Sequence, residues 1–277
     1  GKQPPCTDAI IEMGISKVVV AQLDPNPIVS GKGIKYLQDN GIEVITGILK
    51  KEAYNLNYAY NLYHTEKRPY VVLKQATSLD GKLAFTDERT QITGKEVYDF
   101  VRNERDNYQA ILVGAKTVLI DNPTLLGANT SLFPPKRIVL DAEGSIFEQS
   151  NLNLFNNSSS EVIVFTKVKH ENLPSHVTLI TPKEFSIKEI LSEIAKLGIQ
   201  SIYVEGGPSI HDQFLASGYW DEVITYISPI LLGGNNTSSF TSNRITSEKI
   251  QLNNTKITKL GEDIRISGRR VSQCLQD

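Results

Sequence analysis

Cysteine is scarce in this chain: Cys6 and Cys274 are the only two, and they lie far apart in sequence. That count excludes a disulfide scaffold and fits free thiols in a cytosolic protein. Net charge is almost balanced at −2. No global positive field exists to hold nucleic acid or another polyanion, so an anionic ligand would have to meet local groups. No apolar run approaches ~18 residues, which leaves no candidate for a membrane span. The opening residues Gly1-Lys2-Gln3-Pro4-Pro5-Cys6 lack the apolar core of a signal peptide, and the expected location is the cytoplasm. Histidine is rare too: His64, His170, His176 and His211 show no metal-ligand spacing. Solvated or structural roles suit them, with His211 kept open because it closely follows a glycine pair.

What remains is an ordinary globular composition, 40% hydrophobic and 22% charged over 277 residues, enough for two domains or one large one. Residues 1–67 alternate helix and strand. The pattern predicts helices over Asp8 to Met13 (capped by Thr7), Lys32 to Asp39 and Lys50 to Glu66, with strands at Lys17 to Leu23 and Ile42 to Thr46. On the last helix Ala53, Leu56, Tyr60 and Tyr63 are spaced for one face. Such alternation implies a parallel sheet. Arg68-Pro69 is the expected boundary, and a second α/β domain fills residues 68–277. Its strand candidates are Tyr70 to Gln75, Gln109 to Val113, Arg137 to Leu140, Glu161 to Phe165, Ser201 to Val204 and Glu222 to Tyr226. An extended region at Ile257 to Val271 turns at Gly261-Glu262-Asp263. Thr93-Gly94-Lys95-Glu96 has the form of a capping box, and Ile187 to Leu197 reads as helix. Ser150 to Ser160 reads as a surface excursion.

The organising stretch is Ser201 to Phe214. A short apolar strand runs into Glu205-Gly206-Gly207-Pro208, where glycines admit a turn and proline suits a first helical position. A strand end followed by a helix start can hold a phosphate on backbone amides and the positive helix end. An ordinary turn with an exposed glutamate fits the same residues. Lys74 interrupts an apolar strand and must either snorkel from an edge or have a partner. Ser78-Leu79-Asp80-Gly81 offers a hydroxyl and a carboxylate, or only an Asp-Gly turn. Arg102 and Arg105 share a helix face suited to an anion, or to water. Gly114 to Pro123 is a strand-end loop of nucleotide-binding type without a Walker or GxGxxG spacing.

Together these segments are more specific than any one. Leu73-Lys74 with Ser78-Leu79-Asp80-Gly81, Ile92-Thr93, Ala110 to Gly114 with Thr117-Val118 and Asp121-Asn122-Pro123, Val204 to Pro208, Asp221-Glu222 and Leu231 to Gly234 resemble the reductase domain of riboflavin biosynthesis. The likeness covers nearly all of residues 68–277. The head of the chain, Gly1 to Ile10, with Asp24-Pro25-Asn26-Pro27 and Gly31 to Ile34, is similar to the second half of the zinc-dependent pyrimidine deaminase domain that bacteria fuse to this reductase. The chain thus resembles the bifunctional deaminase–reductase family.

That resemblance implies a dihydrofolate-reductase-like fold for residues 68–277, preceded by the C-terminal part of a cytidine-deaminase-like α/β domain at residues 1–67. It implies NADPH as hydride donor and 5-amino-6-(5-phosphoribosylamino)uracil, a small phosphoribosyl pyrimidine, as acceptor reduced at the ribose. Ala76, Thr117 and Asp121 fall at cofactor positions, as does the turn Gly207, Pro208, Ser209, Ile210, His211, Asp212 and Gln213. Arg105, Leu125 and Glu205 fall at substrate positions, and Lys74 beside the reacting ribose. Lys74 and Glu205 are the implied catalytic pair, able to hold the ribose and relay a proton to it. Association into a homo-oligomer through the reductase domain is also implied.

Two departures stand out. The family's usual arginine three residues after the Leu125 position is Ala128 here, and Arg89-Thr90-Gln91 replace the common Ser-x-Trp. Arg89 is placed to compensate electrostatically. In the deaminase half, Cys6 matches the second zinc cysteine, but no His-x-Glu or first Pro-Cys precedes it. One thiolate cannot make a zinc site. The expectation is that the missing ligands belong to a preceding segment, and that the chain as written does not deaminate. Two other readings compete: a dihydrofolate-reductase relative acting on another carbonyl or a pteridine, and a non-catalytic nucleotide-binding module.

Overall fold

The computed structural model describes residues 5–85, 89–128, 133–238 and 249–271, so residues 1–4 of the deaminase likeness and Cys274 lie outside the described residues. The chain divides into two compact units, Gly1–Pro69 and Tyr70–Asp277.

The first unit runs α1 (Cys6–Glu12), β1 (Lys17–Val20), α2 (Lys32–Asp39), β2 (Glu43–Thr46), α3 (Lys50–Leu56) and α4 (Tyr58–Glu66). β1 and β2 pair in parallel, Val18 opposite Val44. Two sequence expectations need correction. Thr7 caps nothing: Pro5 occupies the N-cap and Thr7 falls inside the first turn of α1. The helix expected over Lys50 to Glu66 breaks at Asn57, whose side-chain amide donates back to the Ala53 carbonyl at 3.2 Å and competes with the helical ladder. Leu56 is left 85% exposed, and Leu62, outside the expected stripe, is the buried contact at 2%.

The second unit runs β3 (Tyr70–Ser78), β4 (Lys82–Ala84), α5 (Lys95–Arg105), β5 (Ala110–Gly114), α6 (Ala115–Asp121), β6 (Lys136–Leu140), a 3-10 turn at Ser145–Glu148, α7 (Asn153–Asn156), β7 (Val162–Phe165), β8 (Val177–Ile180), α8 (Ile187–Lys196), β9 (Ser201–Val204), α9 (Pro208–Ser217), β10 (Glu222–Ser228), β11 (Thr237–Ser238), β12 (Leu252–Leu260) and β13 (Asp263–Arg270). Nine strands form one sheet in the order β12-β13-β10-β3-β9-β5-β6-β7-β8. β10 through β8 pair in parallel, and the β12–β13 hairpin adds an antiparallel end. β4 and β11 form a separate small ribbon.

Strand alternation assigns the faces. Val71, Leu73, Ile202, Val204, Leu112 and Ile138 point one way and pack with Ile187, Ile190, Leu191 and Ile194 of α8 and Phe214 of α9. α8 forms because those apolar residues recur at helical spacing, and because Ser186 Oγ accepts from the Glu189 amide as its cap. Each fully buried side chain of this kind contributes roughly 1.5–3 kcal/mol. Val72, Lys74 and Tyr203 therefore belong to the opposite face.

Here too some expectations fail. Gly94 is the N-cap of α5 and no side chain caps it, so the Thr93 capping box is not formed. The Gly94 amide instead donates to Asp263 Oδ2 at 2.7 Å, a carboxylate delivered by the distant β12–β13 hairpin. The Ser/Asn-rich excursion is only partly at the surface, because Leu152 and Leu154 of the α7 region are buried at 1% and 0%. β4, β8 and β11 carried no signal strong enough to predict them.

Candidate active site

β3 and β9 lie side by side, with Leu73 opposite Val204. Their next residues, Lys74 and Glu205, are therefore neighbours at the same sheet end, and Lys74 Nζ stands 3.8 Å from Glu205 Oε2. Lys74 is not at an edge, since β3 has β10 on its other side. α5 supplies a third charge. Arg105 grips Glu205 with two parallel bonds, Nε to Oε1 at 2.6 Å and Nη2 to Oε2 at 2.8 Å. Burial by itself would raise the Glu205 carboxyl, but Arg105 and then Lys74 outweigh it and hold the group at about 2. Burial pushes the Lys74 ammonium below its ordinary range, with Glu205 pulling it back and Arg105 adding to the fall.

The two arginines do not share an anion site. Arg105 Nη1 donates to the Leu126 carbonyl at 2.9 Å and Arg102 Nη2 to the Gly127 carbonyl at 3.0 Å. Ala128 returns the contact, its amide donating to the Arg102 carbonyl at 3.0 Å. Both guanidiniums thus hold the loop after α6 against the end of α5. Leu125 opens that loop at φ 56° while 2% exposed, a left-handed conformation that costs on the order of 1–2 kcal/mol for an L residue.

These groups line one cavity of about 870 Å³, within the range of a cofactor-sized site. Ala76 from β3, Thr117 and Asp121 from α6, and Leu125 line it together with Lys74, Arg105 and Glu205. So do Gly207, Pro208, Ser209, Ile210 and His211 at the start of α9. No side chain caps α9, and Pro208 takes its first turn, so the positive helix end opens on the cavity. The glycines serve a purpose other than the expected sharp turn, since neither Gly206 nor Gly207 has positive φ. A Cβ on Gly206 would meet Ile210 Cβ at 2.8 Å, and one on Gly114 would meet Ile210 Cγ1 at 2.8 Å. Two missing side chains let Ile210 seat α9 directly on the ends of β5 and β9. A Cβ on Gly207 would meet only Thr117 Oγ1, at 3.7 Å, and would stand in the cavity's mouth.

Asp212 and Gln213 are not lining residues; they lie a turn further along α9, and Gln213 is exposed with its amide on Ser209 Oγ at 3.4 Å. His211 lines the cavity but is 1% exposed and bonds the Val204 carbonyl through Nε2 at 3.1 Å. Burial lowers it to about 4, so it is a neutral prop between β9 and α9. Burial raises the Asp121 carboxyl, with Arg89 opposing, and Arg89 lines the same cavity. Sequence reasoning missed Tyr98 and the ribbon residues Leu83, Ala84 and Thr237, all of them lining. Short β4 and β11 gave no periodicity to find. The small-residue lining and open helix end fit a dinucleotide. Zinc does not fit: Cys6 is exposed, and no group of three or more His, Cys, Asp or Glu is gathered among the described residues.

A parallel sheet with an antiparallel end, and a glycine-lined cleft at its strand ends, define a reductase-type α/β domain of dihydrofolate-reductase-like fold. Residues 69–266 match the family model described as the RibD C-terminal domain. The riboflavin biosynthesis protein RibD of Aquifex aeolicus is 38% identical over 279 residues, a match covering 98% of this chain and 77% of that protein. A solved RibD from Acinetobacter baumannii superposes with a TM-score of 0.88 at 30% identity, covering 98% of this chain and 78% of that one. A diaminohydroxyphosphoribosylaminopyrimidine deaminase/5-amino-6-(5-phosphoribosylamino)uracil reductase from Thermotoga maritima superposes at 0.85 with 34% identity, covering 98% and 76%. The chain belongs to the RibD family.

Proposed function

We propose that the second unit reduces the ribose of 5-amino-6-(5-phosphoribosylamino)uracil to the ribitylamino product with NADPH. The observation that carries this reading is the Lys74–Glu205–Arg105 cluster at the strand ends, beside the open N-terminus of α9 in the same cavity. When bound, NADPH supplies the hydride to C1′ of the ring-opened ribosylamine. Gly207, Ser209 and Thr117 would hold its phosphates at the helix end. Lys74, an ammonium whose proton burial loosens, donates to the ribose oxygen or imine nitrogen. Glu205 stays a carboxylate near neutral pH, which suits it to orient the ribose and Lys74 rather than to donate a proton. That division of labour refines the shared relay expected from sequence. Arg105 fixes Glu205, and because Lys74 shares the same carboxylate the cluster as a whole keeps a net positive charge to attract the sugar phosphate.

We read the first unit as part of a deaminase-like domain, supported by its parallel β1–β2 pair and by the RibD relatives. β12, exposed along most of its length, supports association through the second unit. No helix among the described residues is long and apolar enough to cross a membrane. NADPH oxidation with the ribosylaminouracil phosphate tests the reading, and Lys74→Met should slow it by about 10²-fold or more. NADPH binding without turnover by the unaltered chain would sink it and leave a nucleotide-binding module.

A further inference from the structure

Behind Lys74 lies a second charged cluster with no task in the reading above. Glu104, buried in the last turn of α5, accepts from the Tyr226 hydroxyl at 2.7 Å and from the Tyr203 hydroxyl. Its other oxygen pairs with Arg265 Nη2 at 2.7 Å. One carboxylate therefore joins α5, β9, β10 and β13. Tyr108 stacks on Tyr203 with ring centroids 4.7 Å apart and closes that side.

Stability alone is a poor reason for this arrangement. Removing two charges from water costs about as much as a buried pair returns, and apolar side chains of similar volume often do as well. What the hub does offer is position. Tyr226 sits opposite Ala76 of β3 and opposite Arg265 of β13. Lys74 precedes Ala76 by two residues and so emerges on the same sheet face. Its Nζ stands 5.7 Å from the centre of the Tyr226 ring, within reach of a cation–π contact. A hydroxyl donating to a carboxylate leaves the ring richer in electrons and a better floor for an ammonium.

We propose that Glu104, with Arg265, is a positioning device: it pins the Tyr226 ring as the floor on which the Lys74 ammonium rests, and so sets Lys74 against Glu205. The proposal rests on the reductase reading for its consequence in turnover, not for its geometry. The groups facing Lys74 are Glu205 from the end of β9, Arg105 and Glu104 from α5, Tyr226 from β10, Arg265 beyond it on β13, and neutral His211 from α9.

The test uses the full chain with Tyr226→Leu, Tyr226→Phe and Glu104→Gln, each checked for folding by circular dichroism. Two readouts are taken: steady-state kinetics with NADPH, and titration of the Lys74 side chain by NMR of ε-¹³C-lysine, assigned with Lys74→Met. Tyr226→Leu and Glu104→Gln should lower kcat about tenfold with NADPH affinity unchanged. Both should bring the Lys74 midpoint, and the alkaline limb of the pH–rate profile, down by about one unit. Tyr226→Phe keeps the ring but loses the bond that pins it, and should fall between Tyr226→Leu and the unaltered chain in both readouts. Unmoved Lys74 titration in Tyr226→Leu and Glu104→Gln overturns the proposal, and if the unaltered chain turns over normally the reductase reading survives that result. An unaltered chain that binds NADPH without turnover sinks the reductase reading instead, and the NMR titration still decides the hub.

Discussion

Glu205 is the residue on which the cluster turns. Replacing it with Gln keeps the shape but leaves Arg105 and Lys74 without their shared anion. Turnover should fall by about tenfold or more, while cofactor affinity changes little. Paired measurement of kcat and NADPH Kd checks this, and unchanged turnover would remove Glu205 from the chemistry. The glycines make a sharper contrast. Gly206→Ala must push Ile210 aside, and should cost roughly 1–3 kcal/mol in a urea melt. Gly207→Ala meets nothing closer than Thr117 Oγ1, so it should melt like the unaltered protein and yet bind NADPH more weakly. His211 gives a pH signature. Its folded pKa, about 4, lies below the unfolded 6.5, so the unfolded state binds the extra proton as pH falls. Its contribution is complete above pH 6.5 and lost on acidification toward 4, by up to on the order of 3 kcal/mol. Urea melts across that window, compared with His211→Asn, should show the difference close as pH falls.

Elements explain why some of this could be read in advance and some could not. Strand, glycines and proline at 201–208 announce themselves because every signal there is local. Lys74 beside Glu205 was not visible in the same way. It depends on β9 pairing with β3, a choice that turn and periodicity rules do not make, and only the family resemblance brought the two residues together. The Glu104 hub left no trace at all, since Tyr203 and Tyr226 look like ordinary strand residues and Glu104-Arg105 like a solvated helix end. The missed capping box has a similar cause: Asp263 comes from a hairpin far along the chain and takes the Gly94 amide at the start of α5, a partner that no local signal announces. Asp80 is the instructive intermediate. Its turn was legible, but its partners were not. Asp80 accepts from the Ser78 hydroxyl at 2.5 Å and from the amides of Leu232 and Gly233 at 3.2 and 2.8 Å. Those bonds tie the β3–β4 turn to the loop between β10 and β11. In Asp80→Ala the Leu232 and Gly233 amides should exchange with deuterium markedly faster while α8 amides do not change. Equal protection in both proteins would show that the tie is incidental.

At the scale of the molecule the two units should respond differently to ligands. NADPH at 100 times its Kd should stabilise the second unit by about 2.7 kcal/mol and leave Gly1–Pro69 unshifted, which limited proteolysis with and without cofactor can resolve.

The sheet order also has a consequence for synthesis. β3 is made first in its unit, yet its permanent neighbours are β9 and β10, which leave the ribosome near the end. Through most of translation Lys74 is therefore a charge in an apolar strand with no counterion to meet. Contacts so distant along the chain close late and slowly. A nascent polypeptide stalled before residue 201 would hold the lysine and the guanidinium but no carboxylate between them, and the reaction centre would come into being only as the last quarter or so of the protein emerges.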